Sequence, residues 1–210
     1  GHYVSWFGSS SQVACSPGTY QGQAAMSFCD DSEPGHYVPS GAAIEQIPCP
    51  AGQYQSDYRQ TECTPAEAGT FVQSPGSGES TPCAPGTYQP IGGQSGCIDA
   101  DEGYYVPQEG ALAQLMCDRG TYQYETGQSE CLEAAPGYYV PNTGQASQDP
   151  CLPGSFQPIP GAVRCITAEP EHFVSEPASI SQTPCPSGET QSQYGQTSCD
   201  EGTQLVMIAG

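Results

Sequence analysis

Twelve cysteines stand at 15, 29, 49, 63, 83, 97, 117, 131, 151, 165, 185 and 199, so 14-residue and 20-residue gaps alternate along the 210-residue chain. This alternation defines a 34-residue unit, repeated six times. Repeats of such length mean an array in which each unit packs on its neighbours. The repeats run 1–34, 35–68, 69–102, 103–136, 137–170 and 171–204, and 205–210 remain as an apolar C-terminal tail. Some helical repeats have this length, but here 26 Gly and 21 Pro punctuate the chain. No window shows the 3.6-residue apolar period of a helix, so short strands and turns are expected.

The cysteines matter because little else can hold the chain. Leu, Ile, Val and Phe supply only 27 of the 210 residues. That is below the level of about 20% under which a highly charged chain is expected to stay disordered. An even cysteine number at regular spacing, with little core, reads as a disulfide framework in an oxidising compartment. Zinc would want CxxC pairs or nearby His ligands, and no CxxC occurs. Pairing across the 20-residue gaps would leave Cys15 and Cys199 alone. Pairing across the 14-residue gaps leaves none, and it is the favoured scheme: Cys15–Cys29, Cys49–Cys63, Cys83–Cys97, Cys117–Cys131, Cys151–Cys165 and Cys185–Cys199.

Comparing the repeats with one another shows what each column requires. The third residue is always aromatic and the fourth always Val: Tyr3-Val4, Tyr37-Val38, Phe71-Val72, Tyr105-Val106, Tyr139-Val140 and Phe173-Val174. Gly18, Gly52, Gly86, Gly120, Gly154 and Gly188 form an unbroken column three places after each first cysteine. A second unbroken column is Gln21, Gln55, Gln89, Gln123, Gln157 and Gln191. In "CAPGTYQPIGGQSGC" at 83–97, Pro-Gly makes a turn in which Gly can take positive φ. "TYQ" then reads as a short strand, "PIGG" as a reversal and "QSGC" as the return strand. The aromatic-Val phrase lies outside this hairpin and is expected to pack one repeat against the next. The fold class expected is therefore small and all-β: an elongated tandem array of six disulfide-closed β-hairpin modules with little hydrophobic core.

The phrases "CSPGTY" at 15, "CPAGQY" at 49, "CAPGTY" at 83, "CDRGTY" at 117, "CLPGSF" at 151 and "CPSGET" at 185 carry a resemblance. Each is followed by a cysteine fourteen places after the first. The pattern resembles the first submodule of tumour-necrosis-factor-receptor cysteine-rich domains and the related ephrin-receptor-like cysteine-rich repeats. In the receptor family these two cysteines pair, which supports Cys49–Cys63 and its equivalents. That resemblance implies an extracellular, elongated rod. It does not extend to ligand binding, because the binding loops are not part of the motif. Those families also carry a CxxC and a "GYYC" cysteine. This chain has Ser32, Ala66, Ala100, Ala134 and Ala168 at the first and Val at the second, as though a second bridge had been replaced as a pair. The arrangement is also similar to tandem repeats in very large surface proteins of environmental bacteria and archaea.

A net charge of −20 with no Lys, and Arg59, Arg119 and Arg164 as the firm cations, repels nucleic acid and anionic membrane. No apolar run reaches the length of a membrane span. Gly1 in place of an initiator Met reads as a product trimmed from a secreted precursor. His2, His36 and His172 share one column, but Thr70, Tyr104 and Tyr138 interrupt it, so a metal ladder is disfavoured. Acidic residues follow several second cysteines, as at Asp30, Asp31, Glu33, Asp99, Asp101 and Glu102. Calcium suits such oxygen ligands, but no EF-hand spacing or nonapeptide calcium repeat is present, so a solvated acidic face is the default and no cofactor is expected. No His lies beside a Ser or Cys in a core that could activate it, so the chain is read as not an enzyme. Ser, Thr and Pro leave room for O-linked glycan; Asn142 forms no N-glycosylation sequon. The apolar Leu205, Val206, Met207 and Ile208 are expected to join copies head to tail, which generates a filament where the contact does not close. The expected function is a structural subunit of an extracellular filament or surface stalk. The alternative is an adhesin or receptor-like ectodomain at the cell surface that binds a protein or glycan.

Overall fold

The computed structural model describes residues 1–5 and 11–201. Among the described residues there is no helix, and the chain forms twelve two-stranded antiparallel sheets. Residues 1–100 with 106–114 form one compact unit, and 101–105 with 115–201 a second. The molecule is a tandem array of disulfide-closed β-hairpins with a 34-residue repeat.

Each hairpin starts from a turn dictated locally. At Ser16-Pro17-Gly18-Thr19 the Thr19 N–H donates to the Ser16 carbonyl at 3.0 Å, with Gly18 at φ 83°. A positive-φ Gly third is what a type II turn requires, and Pro second favours it. The Thr19 hydroxyl donates to the same carbonyl at 2.8 Å and tightens the turn. The chain leaves the turn extended: Thr19–Tyr20 pairs with Asp30–Asp31, placing Tyr20 opposite Asp30.

The strands repeat at half the period of the cysteines. First strands begin at Thr19, His36, Gln53 and Thr70, a 17-residue spacing and half the cysteine repeat. Every 34-residue repeat thus holds two hairpins of the same register. The aromatic-Val phrase is not a lone strand outside a hairpin: Tyr104–Tyr105 pairs with Leu115–Met116, as Thr87–Tyr88 pairs with Ile98–Asp99. The return strand of the 83–97 segment also lies after Cys97, not within "QSGC". The loop is wider than expected because the Gln89 side chain spans it, donating to the Gly96 carbonyl at 2.8 Å.

Backbone groups join successive hairpins in both units. In the first, Gly18 N–H donates to Val38 O, Val38 N–H to Gln60 O and Ala42 N–H to Cys15 O, each at 2.8 Å. In the second, Gly120 donates to Val140 O and Val140 to Ala162 O at 2.9 Å, and Gly144 to Cys117 O at 2.8 Å. The turn glycines are required twice over. A Cβ on Gly35 would collide with the Gly76 carbonyl two hairpins on, and Gly35 sits at φ 83°. The interior left between hairpins is thin. Its largest fully buried side chains are Val38, Val106 and Val140, followed by cysteines and Ser32. Cohesion thus comes from bonds and bridges more than from apolar area.

Candidate functional site

The joints between hairpins recur along the described residues, and two buried columns make them. The first column alternates Cys15, Ser32, Cys49, Ala66, Cys83 and Ala100 in the first unit and Cys117, Ala134, Cys151 and Ala168 in the second; all are buried. The second column alternates glutamine and valine: Gln21, Val38, Gln55, Val72, Gln89 and Val106, then Gln123, Val140, Gln157 and Val174, also buried. Hairpins therefore come in two chemical kinds on one backbone, a Cys-Gln kind and an Ala-Val kind.

In the Cys-Gln kind, the disulfide and the amide act together. Disulfides join Cys15–Cys29, Cys49–Cys63, Cys83–Cys97, Cys117–Cys131, Cys151–Cys165 and Cys185–Cys199, with Cα atoms 5.7–5.8 Å apart. The Gln123 Nε2 donates to the Glu130 carbonyl at 2.9 Å, and its Oε1 accepts from Glu125 N–H at 3.0 Å. The same pair of bonds recurs at Gln55, Gln89, Gln157 and Gln191. A buried amide is tolerated because both its ends are bonded. Among the described residues no buried side-chain nitrogen or oxygen lacks a partner.

In three hairpins of the Ala-Val kind a hydrogen bond stands where the bridge would be. Gln46 Oε1 accepts from Glu33 N–H at 2.8 Å, and Gln182 does the same for Glu169 at 2.8 Å. Gln148 accepts from Ala135 N–H at 2.6 Å. These glutamines follow Ser32, Ala134 and Ala168 at the same spacing as the cysteine pairs. The position equivalent to the second cysteine is therefore Gln46, and Val38 is not half of a replaced bridge. Val38 matches Gln21, the filler of the loop. Comparing the chain with itself at the 17-residue step would have revealed this; at the 34-residue step the two kinds never meet.

The aromatic residues of the expected inter-repeat packing are only half-buried, whereas the Val beside each, at Val38, Val72, Val106, Val140 and Val174, is buried; Val4 is half-buried. Each ring faces a cross-strand residue, Tyr37 with Ile47, Tyr105 with Leu115, Tyr122 with Leu132. Those aliphatics are exposed, so the rings pack within a hairpin face and the valines fill the joint. His36 and His172 each approach a turn carbonyl, Nδ1 lying 3.4 Å from Pro34 O and 3.1 Å from Pro170 O. No group of three or more His, Cys, Asp or Glu among the described residues could hold a metal ion. Burial, with Asp30 and Glu33 adding negative charge nearby, raises the Tyr20 pKa above its ordinary 10.0. Leu205, Val206, Met207 and Ile208 lie outside the described residues. No protein-family model matches the chain, and no curated protein is significantly similar to it.

Proposed function

We propose that the chain is a structural subunit of an extracellular filament or surface stalk, with copies joined head to tail and no catalytic part. The observation that supports this best is the sameness of the joints. Within each unit the donor, the acceptor and the spacing of the backbone bonds between hairpins repeat from one hairpin to the next. A chain built of repeated nearest-neighbour joints grows by adding the same contact again and needs no single central site. If two copies meet through the same bonds, the contact is heterologous and propagates. Six disulfides suit an oxidising, extracellular-type compartment, and no helix among the described residues is long and apolar enough to cross a membrane. The likeness to tumour-necrosis-factor-receptor and ephrin-receptor-like repeats then concerns the shared disulfide-closed loop. Negative-stain microscopy of the oxidised protein tests this reading. Long uniform threads are expected, lost on deletion of 205–210. Single-copy particles at every concentration would sink it.

One observation favours the second reading, a rod displaying a binding face. Half-buried rings pair with exposed aliphatics within single hairpins, at Tyr37/Ile47 and Tyr88/Ile98 in the first unit and at Tyr105/Leu115, Tyr122/Leu132 and Phe156/Ile166 in the second. Under that reading the protein stays monomeric and is retained by an immobilised glycan or protein ligand.

A further inference from the structure

In a repeat protein, places where the chain departs from its own pattern are informative, and several departures meet at one groove. This open groove, of about 390 Å³, lies in the first unit where its first two hairpins meet the loop carrying Arg59. Its volume falls in the lower part of the ~300–1,000 Å³ range of small-molecule sites. Phe28 lines it, where the equivalent residues are Glu62, Gly96, Glu130, Arg164 and Ser198. Ala14 lines it, where the other hairpins of its kind carry Pro48, Pro82, Met116, Pro150 and Pro184. The smaller side chain opens space that a ring or thioether would fill.

Arg59 is the sharpest departure. Its equivalents in later repeats are Gly93, Gly127, Gly161 and Gly195, all at positive φ. Arg59 adopts φ 62°, and the other non-glycine residues at this step of the hairpin are alanines, Ala25, Ala42 and Ala178. The backbone needs this conformation regardless of side chain: Arg59 N–H donates to Ser32 O at 2.8 Å, as Gly93 donates to Ala66 O at 2.7 Å. A long side chain is thus held in a strained conformation that glycine satisfies freely, an outlier of the sort that clusters at functional sites. The guanidinium is mostly exposed, and Nε lies 3.9 Å from Asp31 Oδ1, beyond hydrogen-bond reach. Its planar fork is open to an incoming acid group.

We propose that this groove binds a carboxylate-bearing sugar, a uronic acid residue of a short glycan. Arg59 takes the carboxylate through paired N–H donors, the geometry for which arginine is suited. Phe28 and Tyr3 offer apolar ring surface to a sugar face. The hydroxyls of Ser16 and Ser27 and the carboxylate of Asp31 meet sugar hydroxyls. A chain of net charge −20 repels long polyanions at a distance, so a short oligomer is the fitting ligand. The proposal does not depend on filament formation.

The test titrates the oxidised 210-residue chain, followed by amide NMR, with galacturonic acid trimer and with neutral galactose trimer. Saturable shifts at Tyr3, Phe28 and Arg59 are expected with the acidic trimer alone. Arg59→Gly restores the residue of the later repeats, so it should fold at least as stably while binding at least about tenfold more weakly, a single charge-assisted contact being worth roughly that. Phe28→Glu, which installs the residue present at 62 and 130, should also weaken binding. No binding, equal binding of the neutral trimer, or undiminished binding by Arg59→Gly overturns the proposal. A fall in the melting temperature of Arg59→Gly overturns it as well, since Arg59 would then serve the fold.

Discussion

The two kinds of hairpin share strands, register, turn geometry and inter-hairpin bonds, yet close themselves by different chemistry. A Cys-Gln hairpin such as 83–99 has a covalent staple and an amide spanning its loop. An Ala-Val hairpin such as 134–150 has neither. Buried Val140 fills the same place, and Gln148 caps the Ala135 N–H. One backbone accepts both because turn glycines and neighbour-to-neighbour bonds set its path. The side chains then decide only how firmly each loop is shut. Bridges in alternate hairpins suffice if each unstapled hairpin is gripped by stapled neighbours.

The strongest way to break this comparison is to remove the staples. A loop of about fifteen residues closed by a disulfide is worth roughly 3 kcal/mol. Replacing Cys83 and Cys97 together by Ser should cost about that in a denaturant melt and should also loosen the flanking Ala-Val hairpins. Full reduction should abolish the cooperative transition. If reduced protein keeps an unchanged melt, the staples are not what holds the array. Next comes Val140→Ala. It deletes two buried methyls and leaves a small void, for an expected loss of about 2 kcal/mol. A loss as small as that of an exposed valine would show that the joint is not closed around Val140.

Smaller effects sharpen the contrast. Gln123→Leu keeps the volume but orphans the Glu130 carbonyl and the Glu125 N–H, which predicts a loss of about 1–3 kcal/mol. Gln148→Ala uncovers a single N–H and should cost about 1 kcal/mol, visible as faster exchange of the Ala135 amide. An equal loss from both would erase the distinction between clamp and cap. The smallest effect concerns Tyr20. Its raised pKa means that the folded state holds the phenol proton more tightly than the unfolded chain. The stability this contributes is fully present below the ordinary phenol pKa and is lost as pH rises through the folded pKa. Tyr20→Phe should flatten the alkaline end of the melting-temperature profile slightly; an unaltered profile removes the effect.

Much of this was legible in the residues. Cysteine spacing announced the repeat, and the disulfides observed follow the 14-residue gaps. Pro17-Gly18 announced the turn, because only a few dihedral combinations reverse a chain there. What stayed hidden was the 17-residue period. The two kinds of hairpin share little beyond a glycine and an aromatic ring, and Cys against Ala or Gln against Val share no chemistry. They share volume and burial, which a sequence does not display. The groove at Arg59 was hidden for a related reason: Ala14, Phe28 and Arg59 are far apart in the chain and meet only because each hairpin bonds to its successor.

By itself, then, the order of amino acids determined covalent and local matters: six bridges, turns where glycine permits positive φ, strands too short to form a core. These depend on neighbours within one loop, and the chain states them directly. Tertiary structure alone decided which backbone groups meet between successive hairpins, why glutamine and valine are interchangeable between them, and where departures from the pattern converge. Those outcomes depend on hydrogen bonds and close contacts between hairpins, whose donors and acceptors belong to every residue alike and so leave no mark in the letters.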